Sequence, residues 1–412
     1  MKLEVIKEKS VPGDITVSGS KNSSLAIICA AIICDEEVTL NNVPDIHDVQ
    51  TLFSILRHIG YTVDYQNNTA VIKQVKKVSY KINDELVKKM RGSYYFMGAL
   101  LAKLHKVSIA SAGGCNLGHR PINYHLMGFK MMGANITQKK DVITLKAKKL
   151  VPTTINLEFP SVGATINLIL ASCKTPGDTK ITNCALEPEI VDVVNFLNKM
   201  GAKIHGAGTK NITVTGVKYL SKVTYNIMAD RIEAGTYLIL GALLDGATIR
   251  GIEPVYIQSL IDVLIKSGYT IETNGNITVK KENEPKPLNV IIGPYPMFPT
   301  DLGQPLSVLA TQINGKSRIQ ETIFKNRYSH VEELNKMGAK IVVIDNNIII
   351  NGITPLTTQE VTAHDLRGAA ALVLGGALTD KTIIDNIDVF LRGYENPIHK
   401  LASFGIKANF AD

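Results

Sequence analysis

The stretches Met131-Met132-Gly133-Ala134, Lys199-Met200-Gly201-Ala202 and Lys336-Met337-Gly338-Ala339 repeat one pattern. Variants of it stand at His58-Ile59-Gly60-Tyr61, Lys266-Ser267-Gly268-Tyr269 and Ser403-Phe404-Gly405-Ile406. The glycines are 73, 68, 67, 70 and 67 residues apart, a near-constant period that marks a structural repeat. Each glycine follows an amphipathic apolar pattern and precedes a strand-like one. It therefore reads as the left-handed residue that closes a helix.

Upstream of each such helix lies a second apolar stretch, at 23–34, 93–104, 164–173, 235–244, 305–313 and 369–378. These stretches are apolar on nearly every face and predict helices buried all round. Short β-branched runs such as Asn211-Ile212-Thr213-Val214 predict strands between them. One repeat thus reads strand, buried helix, strand, outer helix, strand, strand. Six repeats predict an α/β chain of two three-repeat bodies, each with three buried helices wrapped by sheets. The expected division is 21–228 for one body and 1–20 plus 229–412 for the other, which the N-terminal strand completes. A crevice between two such bodies is the expected place for a ligand.

Of the 412 residues, 45% are hydrophobic and 20% charged, which excludes wholesale disorder. The N-terminus has no signal-peptide pattern, and no apolar stretch is long enough to span a bilayer. The reading is a soluble cytoplasmic protein with no membrane partner. Cys29, Cys34, Cys115, Cys173 and Cys184 form no CxxC or CxxH cluster, which argues against a disulfide framework and a structural zinc site. Four of them sit in apolar surroundings as small buried hydrophobes; Cys115 does not.

The net charge of +8 suits an anionic ligand. Only nine of the 45 basic residues are arginine, and they are placed unevenly. Arg91, Arg231 and Arg367 stand where buried helices open; Arg120, Arg327 and Arg392 stand before outer helices. Arginine's planar fork grips phosphate and carboxylate in pairs of hydrogen bonds, and helix N-termini favour anions. The openings also carry Lys21, the Ser161-Val162-Gly163 turn and Asp301. The set predicts a site for phosphate and carboxylate groups. The loop Ser111-Ala112-Gly113-Gly114-Cys115-Asn116-Leu117-Gly118-His119-Arg120-Pro121 is glycine-rich and lid-like. A thiol beside Arg120 and His119 has the setting that activates cysteine. His119 and His125 stand as acid–base candidates or as plain polar contacts.

The collinear strings resemble the UDP-N-acetylglucosamine enolpyruvyl transferases (1-carboxyvinyltransferases) from residue 3 to the end. They include Gly19-Ser20-Lys21-Asn22, Met90-Arg91, the Gly-Gly-Cys115 loop, Pro160-Ser161-Val162-Gly163-Ala164-Thr165 and Glu187-Pro188-Glu189-Ile190-Val191-Asp192. Asp230-Arg231-Ile232-Glu233, Phe298-Pro299-Thr300-Asp301, Asn326-Arg327, Asp365-Leu366-Arg367 and Arg392-Gly393-Tyr394-Glu395 continue the match. The resemblance implies two inside-out α/β barrels of three repeats each. It implies transfer of the enolpyruvyl group of phosphoenolpyruvate to the sugar 3′-hydroxyl by addition and elimination, the first committed step of peptidoglycan synthesis. It further implies Cys115 as proton donor to the methylene carbon and target of fosfomycin, with Asp301 as acceptor of the hydroxyl proton and Lys21 as a third catalytic group. Lys21, Asn22, Arg120, Arg327, Arg367 and Arg392 would hold phosphoenolpyruvate. Asn22, Arg91, Arg120, Pro121, Ile122, Asn123, Tyr124, Ser161, Val162, Gly163, Asp301 and Ile323 would hold the nucleotide sugar. No metal or organic cofactor and no nucleic-acid partner is implied.

The chain departs from the family pattern at Gly92, at Asn123 and at Phe159-Pro160, positions that bear on helix packing and nucleotide contacts. One alternative is the sister enzyme acting on shikimate 3-phosphate; its Gly-Asn-Ala-Gly-Thr-Ala segment is replaced here by Met90-Arg91-Gly92-Ser93-Tyr94. A second is a weakly active or regulatory second copy. A basic RNA-binding repeat protein would need aromatics interleaved with the lysines, and aromatics are only 6% and unclustered.

Overall fold

The computed structural model describes residues 1–82, 84–111 and 122–411, with Asp84 described by its backbone alone. Cys115, His119, Arg120 and Pro121 lie outside the described residues. All six repeat glycines take the left-handed conformation, with φ of 113°, 88°, 102°, 107°, 100° and 72° in chain order. They follow the outer helices His47–Ile59, Asn123–Met131, Pro188–Lys199, Gln258–Ser267, Ser329–Lys336 and Pro397–Ala402.

The buried helices are Lys21–Ala31, Tyr95–Leu104, Val162–Ser172, Arg231–Leu243, Thr300–Thr311 and Leu366–Gly376. Five begin two to five residues before the apolar run that predicts them. In four of the five the reason is capping. Ser20, Ser161, Asp230 and Asp365 accept hydrogen bonds from first-turn N–H groups, so the polar residues that follow are already helical. Lys21, Arg231 and Arg367 are consequently first-turn residues rather than loop residues; Asp301 is one too, although Pro299 gives its helix no side-chain cap. The second repeat differs: a 3₁₀ turn, Arg91–Tyr94, precedes its helix. Pro305, expected at a helix start, lies inside Thr300–Thr311 and cannot donate to the Asp301 carbonyl.

The described residues divide into two compact units, one built from 19–82, 84–111 and 122–228 and the other from 1–18 with 229–411. Among the described residues the strands form six sheets, five of four strands and one of three. Three sheets hold a parallel pair whose strands flank a buried helix: Thr154–Asn156 with Asp178–Thr182, Asn289–Ile292 with Gly315–Glu321, and Glu360–Thr362 with Thr382–Asp385. In two others the parallel partners are exchanged along the chain. Gly13–Thr16 pairs with Ala247–Arg250, and Val223–Asn226 pairs with Val38–Asn41. The chain therefore passes between units at Ser18–Gly19 and returns at Met228–Ala229. The N-terminal strand Lys2–Lys7 pairs antiparallel with Thr382–Asp385 and with Ile406–Ala411.

Each unit has its own hydrophobic core, with the buried helices inside and the sheets outside. Fully buried Ile27, Ile28, Phe53, Phe96 and Phe196 anchor the first; Leu3, Tyr237, Tyr394 and Phe404 anchor the second. A side chain of this size contributes about 1.5–3 kcal/mol when withdrawn from water. The buried helices approach closely where side chains are absent. A Cβ on Gly98 would lie 2.3 Å from the Asn167 carbonyl oxygen, so only glycine admits this crossing. The architecture is two inside-out α/β barrels of three repeats.

Candidate active site

In the unit that begins at Gly19, Lys21 and Asn22 begin the first buried helix, and the Lys21 ammonium lies 3.3 Å from a carboxylate oxygen of Asp48. Asp48 is buried in the first turn of the outer helix His47–Ile59, where the helix dipole favours its charge. The sequence reading missed Asp48, because an acid in a helix first turn is ordinary.

A second group forms around His125, which is buried beside the Ser161 turn. The Asn167 side-chain oxygen accepts the Gly98 N–H at 2.8 Å, which fixes the orientation of its amide. Its nitrogen then donates to His125 Nδ1 at 3.0 Å, so the ring proton resides on Nε2. That nitrogen would be 3.1 Å from a Cβ on Gly163, so the glycine makes room for the imidazole at the helix N-terminus. Burial, with Arg91 adding, pushes His125 down to about 3. His125 is therefore a neutral polar contact rather than an acid. Burial also pulls the Arg91 guanidinium down, and it lies 5.5 Å from the Tyr94 ring centroid. The Ser161 hydroxyl caps its helix by accepting from Ala164 N, and Val162 is half-buried. Asn123 is exposed at the start of its helix, while Ile122 and Tyr124 pack against the core. Asn167 was legible as the amide in an otherwise apolar helix, since buried polar groups need partners.

In the other unit, two buried arginines converge on one acid. Arg327 Nη2 donates to Asp301 Oδ1 at 2.7 Å and Arg367 Nη2 to Asp301 Oδ2 at 3.1 Å. The arginine side chains are 5% and 3% exposed and that of Asp301 26%, so the carboxylate is the side of the trio that water reaches. Arg327 also donates to the Thr300 hydroxyl, which donates to Glu321. The Nε–H groups of Arg327 and Arg367 are buried without an acceptor among the described residues. Burial alone would lower Arg367, yet Tyr394, Asp301 and Asp230 hold it above its ordinary value. The arginines are thus fixed cations with donor capacity left over.

Glu321 also accepts the backbone N–H of Ile323 at 2.7 Å and of Phe324, which links the Ile323 turn to the arginine cluster. The sequence reading missed Glu321, a strand-end acid with no distinguishing neighbour. Asp365 caps Leu366–Gly376 and accepts from Ser329, which ties the Arg327 loop to the Arg367 helix. Arg392 is half-buried in the turn before Pro397–Ala402. The three arginines away from repeat junctions have structural partners: Arg57 bonds the Val63 carbonyl, Arg250 forks onto Asp14, and Arg318 bonds Asn347.

Cys29, Cys34, Cys173 and Cys184 are buried free thiols, and burial pushes Cys173 up to about 12 and Cys184 up to about 11. They are inert packing residues. No helix among the described residues is long and apolar enough to cross a membrane.

The family model for EPSP synthase (3-phosphoshikimate 1-carboxyvinyltransferase) matches residues 5–401. UDP-N-acetylglucosamine 1-carboxyvinyltransferase 2 of Listeria monocytogenes serotype 4b is 42% identical over 407 residues, covering 98% of this chain and 96% of its own. The UDP-N-acetylglucosamine 1-carboxyvinyltransferase of Clostridium botulinum is 42% identical over 409 residues, covering 98% of each chain. Among solved structures, the enolpyruvyl transferase NikO from Streptomyces tendae superposes with a TM-score of 0.88 at 24% identity, covering 100% of this chain and 99% of its own. EPSP synthase from Acinetobacter baumannii gives 0.76 at 17% identity, covering 100% of each. These two likenesses concern the fold. The match along nearly the whole chain, at this identity, means that the protein belongs to the EPSP synthase family of enolpyruvyl transferases and, within it, to the UDP-N-acetylglucosamine 1-carboxyvinyltransferases.

Proposed function

We propose that this chain is a cytoplasmic transferase that moves the enolpyruvyl group of phosphoenolpyruvate onto the 3′-hydroxyl of UDP-N-acetylglucosamine, releasing phosphate. The observation that carries the reading is the convergence of two buried cations, Arg327 and Arg367, on the partly exposed Asp301. Phosphoenolpyruvate brings a phosphate and a carboxylate, the two groups an arginine fork recognises. Lys21, Asn22, Arg120, Arg327, Arg367 and Arg392 are its proposed binding residues. Asn22, Arg91, residues 120–124, Ser161, Val162, Gly163, Asp301 and Ile323 are those of the nucleotide sugar.

In the addition step the sugar oxygen bonds to the central carbon of phosphoenolpyruvate, Asp301 accepts the hydroxyl proton, and Cys115 gives a proton to the methylene carbon. Elimination then returns the double bond, with loss of a proton from that carbon and departure of phosphate. Both Asp301 oxygens accept guanidinium hydrogen bonds. An anion that draws Arg327 and Arg367 toward itself releases a lone pair of Asp301 for the hydroxyl proton, so binding of one substrate prepares the base for the other.

The test is phosphate release from phosphoenolpyruvate with UDP-N-acetylglucosamine or shikimate 3-phosphate as acceptor. Release with the first alone supports the reading; release with the second alone, or with neither from folded protein, overturns it.

A further inference from the structure

We propose that Gln304 is a positioning residue whose amide, oriented by His330, holds Asp365 and so sets the Arg327 loop and the start of the Arg367 helix around the anion they bind. This rests on the reading of Arg327 and Arg367 as phosphoenolpyruvate ligands. Asp301, Arg327 and Arg367 come from three separate segments, and their contacts at 2.7 and 3.1 Å require those segments in register. Gln304 stands three residues after Asp301 on the helix Thr300–Thr311, on the same face. Its side-chain nitrogen lies 3.3 Å from Asp365 Oδ2 and 3.3 Å from His330 Nδ1, and it has one proton for each. Asp365 Oδ2 also accepts from the Ser329 hydroxyl at 2.6 Å, and Asp365 Oδ1 accepts the N–H groups of Arg367 and Gly368 at 3.0 Å. One carboxylate thus joins the helix of Asp301, the segment two residues after Arg327, and the backbone of Arg367 itself.

The direction of each bond is fixed by the groups present. Ser307 donates its only proton to the Gln304 carbonyl at 2.6 Å, so it can only accept from His330 Nε2 at 3.0 Å. The His330 proton is therefore on Nε2, and Nδ1 is the acceptor that faces the Gln304 amide. Burial favours this neutral imidazole and pushes His330 below its ordinary value. Turning the amide over would aim its oxygen at the Asp365 carboxylate and at the Nδ1 lone pair, so both neighbours select the same orientation. Gln304, Ser307, His330 and Asp365 are all buried, and water does not stand in for a lost member. Gly368 leaves the room they need: a Cβ there would lie 3.0 Å from Asp365 Oδ2 and 3.6 Å from Gln304 Nε2. The Gln304 side-chain oxygen is buried with no donor among the described residues, a cost that an apolar side chain of the same length would avoid. What the glutamine adds over such a side chain is its pair of donors, and one of them goes to the carboxylate that spans the arginine segments.

The experiment measures steady-state kinetics for each substrate in the wild type, Gln304→Met, Ser329→Ala, His330→Leu and His330→Asn, with melting temperatures alongside. Met keeps the length of Gln but donates nothing to Asp365. The phosphoenolpyruvate KM of Gln304→Met is expected to rise about fivefold, part of the tenfold or more that a hydrogen bond to a charged group is worth where it is made. The UDP-N-acetylglucosamine KM, whose proposed ligands lie mostly on other segments, stays within about twofold of wild type. Ser329→Ala, at the half-buried end of the same carboxylate, shows the same split and decides the matter should Gln304→Met not fold. His330→Leu removes the acceptor that orients the amide and raises the same KM. His330→Asn, whose side-chain oxygen takes the place of Nδ1, restores the wild-type KM. A phosphoenolpyruvate KM unchanged in folded Gln304→Met, or in Ser329→Ala, overturns the proposal even if the melting temperature falls. An equal rise in both KM values, or a His330→Asn protein as impaired as His330→Leu, overturns it as well. Inactivity of the wild type with UDP-N-acetylglucosamine would instead overturn the functional reading.

Discussion

Replacing Asp301 by Asn separates what this carboxylate does for the fold from what it does for chemistry. Asn keeps the shape and one acceptor but removes the charge that two buried guanidiniums share at 2.7 and 3.1 Å. Breaking a buried ion pair from one side costs about 3–5 kcal/mol. The Asp301 side chain is 26% exposed, so water replaces part of the lost interaction. The expected net loss is about 2 kcal/mol, a fall of roughly 4–8 °C in melting temperature for a unit of this size. The freed arginines should then bind inorganic phosphate more tightly than wild type does. Phosphate at ten times its dissociation constant restores about 1.4 kcal/mol. Thermal unfolding with and without phosphate reads both effects, and turnover falls on the order of a hundredfold or more through loss of the proposed base. A variant that melts within about a degree of wild type, or that gains no more from phosphate than wild type does, refutes the argument.

Cys115→Ser is expected to lose most turnover while still binding UDP-N-acetylglucosamine in calorimetry; unchanged turnover would remove the thiol from the mechanism. His125, at about 3 in the fold against an ordinary 6.5, binds fewer protons folded than unfolded between those values. Its contribution is present above pH 6.5 and is lost as pH falls toward 3, about 2 kcal/mol by pH 5. Urea midpoints at pH 7 and pH 5 should therefore converge in His125→Gln relative to wild type, and equal acid sensitivity would contradict this. Gly98→Ala drives a Cβ to 2.3 Å from the Asn167 carbonyl, so overpacking should cost on the order of 1–3 kcal/mol in denaturant titration. Asp48→Ala removes the carboxylate beside Lys21 and should raise the phosphoenolpyruvate KM several-fold with little change in the UDP-N-acetylglucosamine KM.

The repeat was readable because its signals are local. A glycine at positive φ, an apolar run without a polar face and a β-branched strand each depend on a few consecutive residues, so the two three-repeat bodies, their buried helices and the arginines at the junctions could be read directly from the chain. Helix starts were less legible, since capping by Ser20, Asp230 or Asp365 extends a helix into polar residues that hydrophobic periodicity ignores. The partners of the site were legible least. Asp48 is far in sequence from Lys21, and Glu321, though near Arg327, meets it only through the distant Thr300; nothing in their own neighbourhoods marks them. Hydrogen bonding and ion pairing depend on distances of about 3 Å, which only the packed structure sets. The sequence by itself determined which residue types stand at each repeat opening. The tertiary structure decided that Arg327 and Arg367 share one carboxylate and that His125 is buried and neutral.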